Sequence, residues 1–316
     1  MPDAVLITPS SFGAHGLQPS ASLRQAGLEV YTNPLGRTLT EGEVARLLQQ
    51  HQPAGLIAGL EPLTASVLQG AAAHLKVISR CGTGLDTVDM ATAAVLGIVV
   101  YNTPEAPAQA VAELTLGLIL DGIRGIARAD RSVRAGRWEK PPGFLLSELT
   151  VGVIGLGRIG KRVAQLVRAM DAPVLASDVA PDHAWARAHG VEMVSQEALL
   201  QRADVVTLHA GASEGRPLLG ATELRLMKPG SYLVNTSRGS AVDEPALLDA
   251  LRTGQLRGAA IDTFGREPYD GPLRALDQVV LTPHIGSYAR AARVAMEREA
   301  AENLLRGLRE RGVLAG

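Results

Sequence analysis

Short apolar runs rich in β-branched residues punctuate the chain at residues 4–8, 55–58, 76–79, 98–101, 151–154, 174–177, 205–208, 232–235, 259–262 and 279–281. Most are continuous rather than alternating, the pattern of strands covered on both faces, as in a parallel sheet under helices. Stretches with helical spacing lie between them. One opens on Thr40-Glu41-Gly42-Glu43, where threonine and glutamate have capping-box spacing before residues 44–50. Strand and helix alternating at this pitch predict a doubly wound α/β fold.

A chain of 316 residues is too long for one compact core, so two domains are expected. Residues 101–107, YNTPEAP, are proline-rich and read as a connector, and a long apolar helix over 107–126 follows. After the last strand Pro283-His284-Ile285-Gly286 breaks the pattern. A final helix over about 287–308 has too little chain behind it to build a domain, so packing back on the first domain suits it. Two consecutive domains split near residue 150 remain the alternative at this point.

The most informative stretch is VGVIGLGRIG, residues 151–160. It follows an apolar strand and opens a helix, the setting in which GxGxxG carries meaning. Gly155 permits the tight turn, Gly157 lets the backbone approach a pyrophosphate, and Gly160 allows close helix–strand packing. Arg158 and Ile159 lie in the same turn, where free N–H groups meet phosphate charge. Asp178 ends the next strand, placed to accept the adenosine ribose hydroxyls and to repel a 2′-phosphate. No Arg or Lys follows within several residues, so NAD is expected rather than NADP. Two overlapping motifs fail. GxxxxGK at 155–161 is followed by Arg162 where a magnesium-binding Ser or Thr is required. GxSxG around Ser213 needs a helix directly after the serine, and Pro217 and Gly220 interrupt one; a polar loop is expected there.

Composition narrows the field. The net charge of −1, without a basic block, argues against a nucleic-acid surface. Cys81 is the only cysteine, so no intrachain disulfide forms and a reducing cytoplasm is compatible. The stretch MPDAVLITPSSF does not read as a signal peptide. No apolar run approaches the roughly 18–20 residues of a membrane span. Histidines 15, 51, 74, 183, 189 and 209 show no metal-ligand spacing, so no metal is expected.

Several further blocks stand in register: LKVISRCGTGLDTVDMATAAVLGIVVYNTP, AVAELTLGLIL, LMKPGSYLVNTSRGSAVDEPALLDAL, GAAIDTFGREP and LTPHIGS. With the glycine-rich stretch they resemble the D-isomer-specific 2-hydroxyacid dehydrogenases from about residue 54 onward, closest to short phosphoglycerate-dehydrogenase-like members. The resemblance implies a Rossmann-type cofactor domain, 99–287, inserted in a flavodoxin-like substrate domain, 1–98 plus 288–316. It also implies NAD, a homodimer formed through the 107–126 helix, and hydride transfer at C2 of a small 2-hydroxy or 2-oxo acid. On the matching positions it implies Arg238 as the substrate-orienting arginine, Glu267 as the acid partner and His284 as the catalytic histidine. Chemistry agrees: a protonated imidazole donates to the growing oxyanion, a carboxylate orients the ring, and a guanidinium grips the substrate carboxylate. The resemblance further implies Gly82, Thr83 and Gly84 as a substrate-carboxylate loop, Asp262 at the nicotinamide carboxamide, and Thr207 and Thr236 along the cofactor. Trp138 lines the site, from its own or a partner subunit, or packs on the surface; both readings stand.

The chain also departs from the pattern. Where phosphoglycerate-specific members often carry basic residues before the substrate loop, this chain has GLEPLT with Glu61. A phosphate would be repelled there unless Arg80, Arg290, Arg293 or a partner chain compensates. Ala210-Gly211 replaces a usual proline, and Cys81 reads as a small buried side chain. The substrate therefore stays open among 3-phosphoglycerate-like acids, hydroxypyruvate or glyoxylate, and phosphonate analogues. An NAD-sensing, corepressor-like binding module is the alternative from another class.

Overall fold

The computed structural model describes residues 3–16, 18–212 and 215–315. The chain divides into two compact units, residues 1–107 with 288–316, and residues 108–287.

The first unit holds β1 (Ala4–Ile7), β2 (Glu29–Thr32), β3 (Gly55–Ala58), β4 (Val77–Arg80) and β5 (Val99–Asn102). They form one parallel sheet in the order β2-β1-β3-β4-β5, the flavodoxin-like order, whose direction reverses between β1 and β3. Period-2 geometry sorts the continuous apolar runs onto two faces. Leu6, Leu56 and Ile78 meet Val44, Leu48 and Leu68 from the helices Glu41–His51 and Ala65–Ala71. Val5, Ile7, Ile57 and Val77 meet Leu23 of one helix and Met296, Ala300 and Leu304 of the final helix, Arg290–Glu310. The chain's end thus closes one face of the sheet its beginning started.

The second unit holds β6 (Val151–Ile154), β7 (Val174–Ser177), β8 (Val191–Met193), β9 (Val205–Leu208), β10 (Ser231–Asn235), β11 (Leu256–Ile261) and β12 (Val279–Leu281). Their order is β12-β11-β10-β9-β6-β7-β8, every pairing parallel. This is the Rossmann winding with one further strand, and its switch point lies between β6 and β9. Val151, Val153, Val205 and Val234 face one apolar cluster, and Ile154, Val206, Leu208 and Leu233 the other. A Cβ on Gly152 would lie 2.5 Å from Leu199 Cδ2, which is how closely a helix packs on the central strand.

Four expectations shift. The boundary expected at 98/99 falls at 107/108, because β5 pairs with β4 and belongs to the first sheet. The long helix ends at Arg124, where left-handed Gly125 (φ 64°) starts a separate helix, Ile126–Arg134, with Asp121 Oδ1 accepting from Ala127 N–H. The final helix runs three residues later at its start than expected, from Arg290. Two strands, β2 and β8, escaped the pattern entirely. Both are edge strands, EVYT and VEM, with a glutamate and no continuous buried run. The Thr40 turn behaves as read: Glu43 Oε2 accepts the Thr40 N–H at 2.8 Å.

Ser213 and Glu214 lie outside the described residues, and with them the serine-elbow question. Among the described residues, no helix is long and apolar enough to cross a membrane. Nor, among them, does any group of three or more His, Cys, Asp or Glu stand where it could hold a metal ion.

Candidate active site

In the second unit the sheet's carboxyl ends carry the chemistry. Gly155 follows β6, Asp178 follows β7, Thr207 sits near the end of β9, Arg238 follows β10, Glu267 follows β11 and His284 follows β12. Ligands of open α/β sheets bind off these ends.

His284 Nδ1 lies 3.1 Å from Glu267 Oε1 and 2.9 Å from Oε2, with both side chains one-third exposed. Glu267 Oε1 also accepts the Phe264 N–H at 3.0 Å. Burial pushes this carboxyl up. The His284 and Phe264 hydrogen bonds and the charges of His284 and Arg238 outweigh that, and the group titrates below the usual carboxylate range.

The turn after β10 shapes Arg238. Asn235 is buried; its Oδ1 accepts from Ser237 N and Oγ, and its Nδ2 donates to Arg238 O at 2.8 Å. A Cβ on Gly239 would sit 1.9 Å from Phe264 C, so this turn packs directly on the backbone that leads to Glu267. Neither Asn235 nor Phe264 was singled out from sequence. An Asn just before a small-residue turn is a readable side-chain-to-backbone signal; the Phe264 amide leaves none.

The glycine-rich turn fits a dinucleotide. Gly155 has φ 92°, and a Cβ there would lie 2.8 Å from the backbone at His209 and Ala210. A Cβ on Gly160 would lie 1.9 Å from Gly155 O, which is the close packing expected of the third glycine. Gly157 has open space where its Cβ would be, and it caps the helix Arg158–Arg168 without a side-chain bond. An uncapped helix start with an open glycine is the cradle a pyrophosphate needs. Asp178 accepts Leu156 N–H at 2.6 Å and Ala180 N–H at 2.8 Å, tying the turn to β7.

Other candidates are more deeply committed. Thr207 is fully buried, its hydroxyl 3.0 Å from His209 Nε2. Burial pushes His209 down to about 3, which keeps it neutral. Thr236 is buried with its hydroxyl 2.8 Å from that of Thr115. Asp262 is buried, and its carboxylate accepts three donors from the turn that carries His284.

In the first unit, Gly82, Thr83 and Gly84 follow β4. The Gly82 N–H is already engaged by Thr103 Oγ1 at 2.8 Å, and Thr83 O accepts from Asn102 Nδ2 at 2.7 Å. Cys81 is buried, and burial pushes its thiol up to about 11, consistent with a packing role. Glu61 is buried against the Thr8 hydroxyl and the Gly59 N–H. Trp138 is 78% exposed.

Two parallel α/β units, one with a Rossmann winding and a glycine-rich cradle, define a dinucleotide-binding two-domain protein. The family model described as "D-isomer specific 2-hydroxyacid dehydrogenase, NAD binding domain" matches residues 116–286. The chain belongs to that family, and its second unit is the NAD-binding domain. It is 40% identical over 243 residues to a D-3-phosphoglycerate dehydrogenase of Methanocaldococcus jannaschii, covering 75% of this chain and 46% of the relative. It is 40% identical over 247 residues to a glyoxylate reductase of Thermofilum pendens, covering 74% and 72%. A crystal structure of a Thermus thermophilus protein superposes with a TM-score of 0.86 at 36% identity, covering 97% of each chain. The chain spans about half the length of the curated phosphoglycerate dehydrogenases it matches.

Proposed function

We propose that this chain is an NAD-dependent D-2-hydroxyacid dehydrogenase acting reversibly at C2 of a small 2-hydroxy or 2-oxo acid. The observation that carries this reading is the His284–Glu267 pair, Nδ1 to Oε2 at 2.9 Å, beyond the carboxyl ends of the sheet whose strand β10 leads to Arg238. Bound NAD supplies the hydride acceptor or donor. Glu267, anionic at neutral pH, holds His284 Nδ1 and so keeps the acidic proton at Nε2. In the reducing direction Nε2 gives that proton to the carbonyl oxygen; in the oxidising direction neutral Nε2 takes it back. Arg238 pairs with the substrate carboxylate and fixes which face of C2 is presented. Gly155, Gly157, Arg158, Ile159 and Gly160 receive the pyrophosphate, and Asp178 the adenosine ribose. Gly82, Thr83 and Gly84 form the loop after β4 that the family resemblance links to the substrate carboxylate, with the Gly82 N–H held by Thr103 Oγ1.

The substrate is a 3-phosphoglycerate-like acid or a glyoxylate- or hydroxypyruvate-like one, the kinds of acid named by the relatives it resembles. The protein works in the cytoplasm as a homodimer; Ile126, Val133, Trp138, Phe144 and Leu145, which follow the helix Ala108–Arg124 in the chain, are large apolar side chains left exposed.

His284→Ala tests the chemistry. It should lower kcat by about 10²–10⁴-fold while NADH binding, read by fluorescence quenching, stays near wild type. Near-normal turnover would refute the assignment.

A further inference from the structure

We infer that Asp262 is a positioning residue for His284, acting through the turn that carries the imidazole. The inference rests on the proposed role of His284.

Asp262 directly follows β11, and its own N–H donates to Asn235 O at 2.9 Å, which fixes its backbone in register with β10. The side chain is 1% exposed. Oδ1 accepts the Thr282 hydroxyl at 2.6 Å and the Ile285 N–H at 2.8 Å, and Oδ2 accepts the Gly286 N–H at 2.9 Å. These donors bracket His284 on both sides. One carboxylate therefore grips the chain before and after the histidine.

His284 needs such a grip. Its φ is 54°, in the left-handed region that a side chain bearing Cβ seldom occupies. The preceding proline donates no N–H, and the His284 N–H turns back to Thr282 O at 2.9 Å. A residue in that region persists only where its surroundings over-determine it. Gly286 shows how tight the clasp is: a Cβ there would lie 3.2 Å from Asp262 Oδ2 and 3.3 Å from Val111 Cγ2.

A carboxylate offers about four lone-pair positions. Three are taken by this turn, two of them by backbone N–H groups, and such charge-assisted bonds are strong. At most one direction remains for a nicotinamide carboxamide. The imidazole is thus held twice: Glu267 grips its ring, and Asp262 grips the backbone beneath it. Asn cannot replace Asp262, because its amide NH₂ would meet a backbone N–H donor from one side or the other.

The test combines turnover, cofactor binding and a direct view of the ring. In Asp262→Asn we expect kcat to fall about 100-fold, the scale of a misplaced catalytic group. NADH affinity should stay within about threefold, since the glycine-rich cradle is untouched. The same substitution in a His284→Ala background should cost no more than about twofold further, the signature of two residues acting as one unit. The ¹⁵N signals of the His284 ring in the cofactor-free protein should shift in Asp262→Asn, reporting a changed Nδ1–Glu267 contact. Thr282→Val, which deletes one donor and keeps the carboxylate, should reproduce the pattern more weakly if Asp262→Asn folds poorly. Unmoved ring signals, additive losses in the double variant, or NADH binding weakened more than tenfold with kcat intact would each overturn the inference. If the wild-type protein turns over no 2-oxo acid yet the ring signals still shift, the dehydrogenase reading fails and the positioning role stands.

Discussion

The two sheets carry charge at their carboxyl ends in opposite ways. In the second unit, His284 and Glu267 are paired yet one-third exposed, and a ligand can still reach them. In the first unit the comparable charges are sealed. Arg293 and Glu297 are 5% and 0% exposed; Arg293 Nη2 meets Glu297 Oε1 at 3.2 Å and Ser11 Oγ at 3.0 Å. Glu297 Oε2 accepts the Gly13 N–H at 2.9 Å, so one glutamate of the final helix holds both an arginine and the loop after β1. A hydrogen-bonded ion pair is not by itself a mark of chemistry. Burial decides: a sealed pair can only hold structure, whereas a half-open pair can change partner.

That contrast breaks if the sealed pair proves dispensable. Glu297→Gln leaves the Arg293 charge buried without its counter-ion, which typically costs about 3–5 kcal/mol. Thermal or denaturant unfolding should show a large loss, with kcat of the folded protein changing far less than stability. A variant with wild-type stability would mean the pair is not a structural clamp. Glu267→Gln is the mirror case. With one-third of each side chain in solvent, folding should lose on the order of 1 kcal/mol or less. kcat should drop by about 100-fold, because the ring loses its orienting anion. Equal damage to stability and turnover in both variants would erase the distinction.

The contrast was only half legible in the sequence. His284, Glu267 and Arg238 stand in short blocks with their own signal, each after a continuous apolar run, so their placement beyond the carboxyl ends of one sheet followed from the fold. Arg293 and Glu297 sit inside an ordinary helix, four apart, where the pattern of charges describes a solvated face as readily as a buried one. Nothing local announces that this face turns toward the loop after β1. β2 and β8 were missed because each carries a glutamate and exposed positions in place of the continuous apolar run that the other two edge strands, β5 and β12, still show. The cut at 98/99 implied by the resemblance fell short because β5 pairs with β4, and the boundary comes instead at the end of the proline-rich connector, residues 101–107.

The Glu267 carboxyl titrates below the usual carboxylate range, so its folded pKa lies beneath its unfolded one. Its contribution to folding is complete above the unfolded value, about 4.3, and is lost as pH falls through the folded one. Turnover that depends on the anion should survive to a lower pH than an ordinary glutamate would allow. In Glu267→Gln that acid limb should vanish from the pH profile of kcat/KM. Its persistence would assign the limb to another group.

The smallest effect belongs to a charge that neither unit's chemistry uses. Glu43 receives two hydrogen bonds from Arg37, at 2.9 and 2.6 Å, and one from Thr40 N–H. Arg37 is the larger influence and the Thr40 amide the next, and together they lower the carboxyl to about 2. The pair lies on the surface, where solvent and salt screen it. Because the folded pKa is depressed, whatever Glu43 adds to stability is complete above its unfolded pKa, near 4.3, and fades as pH falls toward 2. The Tm difference between wild type and Glu43→Gln should therefore be small at pH 7, shrink between about pH 4 and pH 2, and diminish when salt is raised. A difference that grows on acidification would reverse the sign of the argument, and one indifferent to salt would mean that the helix cap, not the Arg37 charge, is what Glu43 supplies.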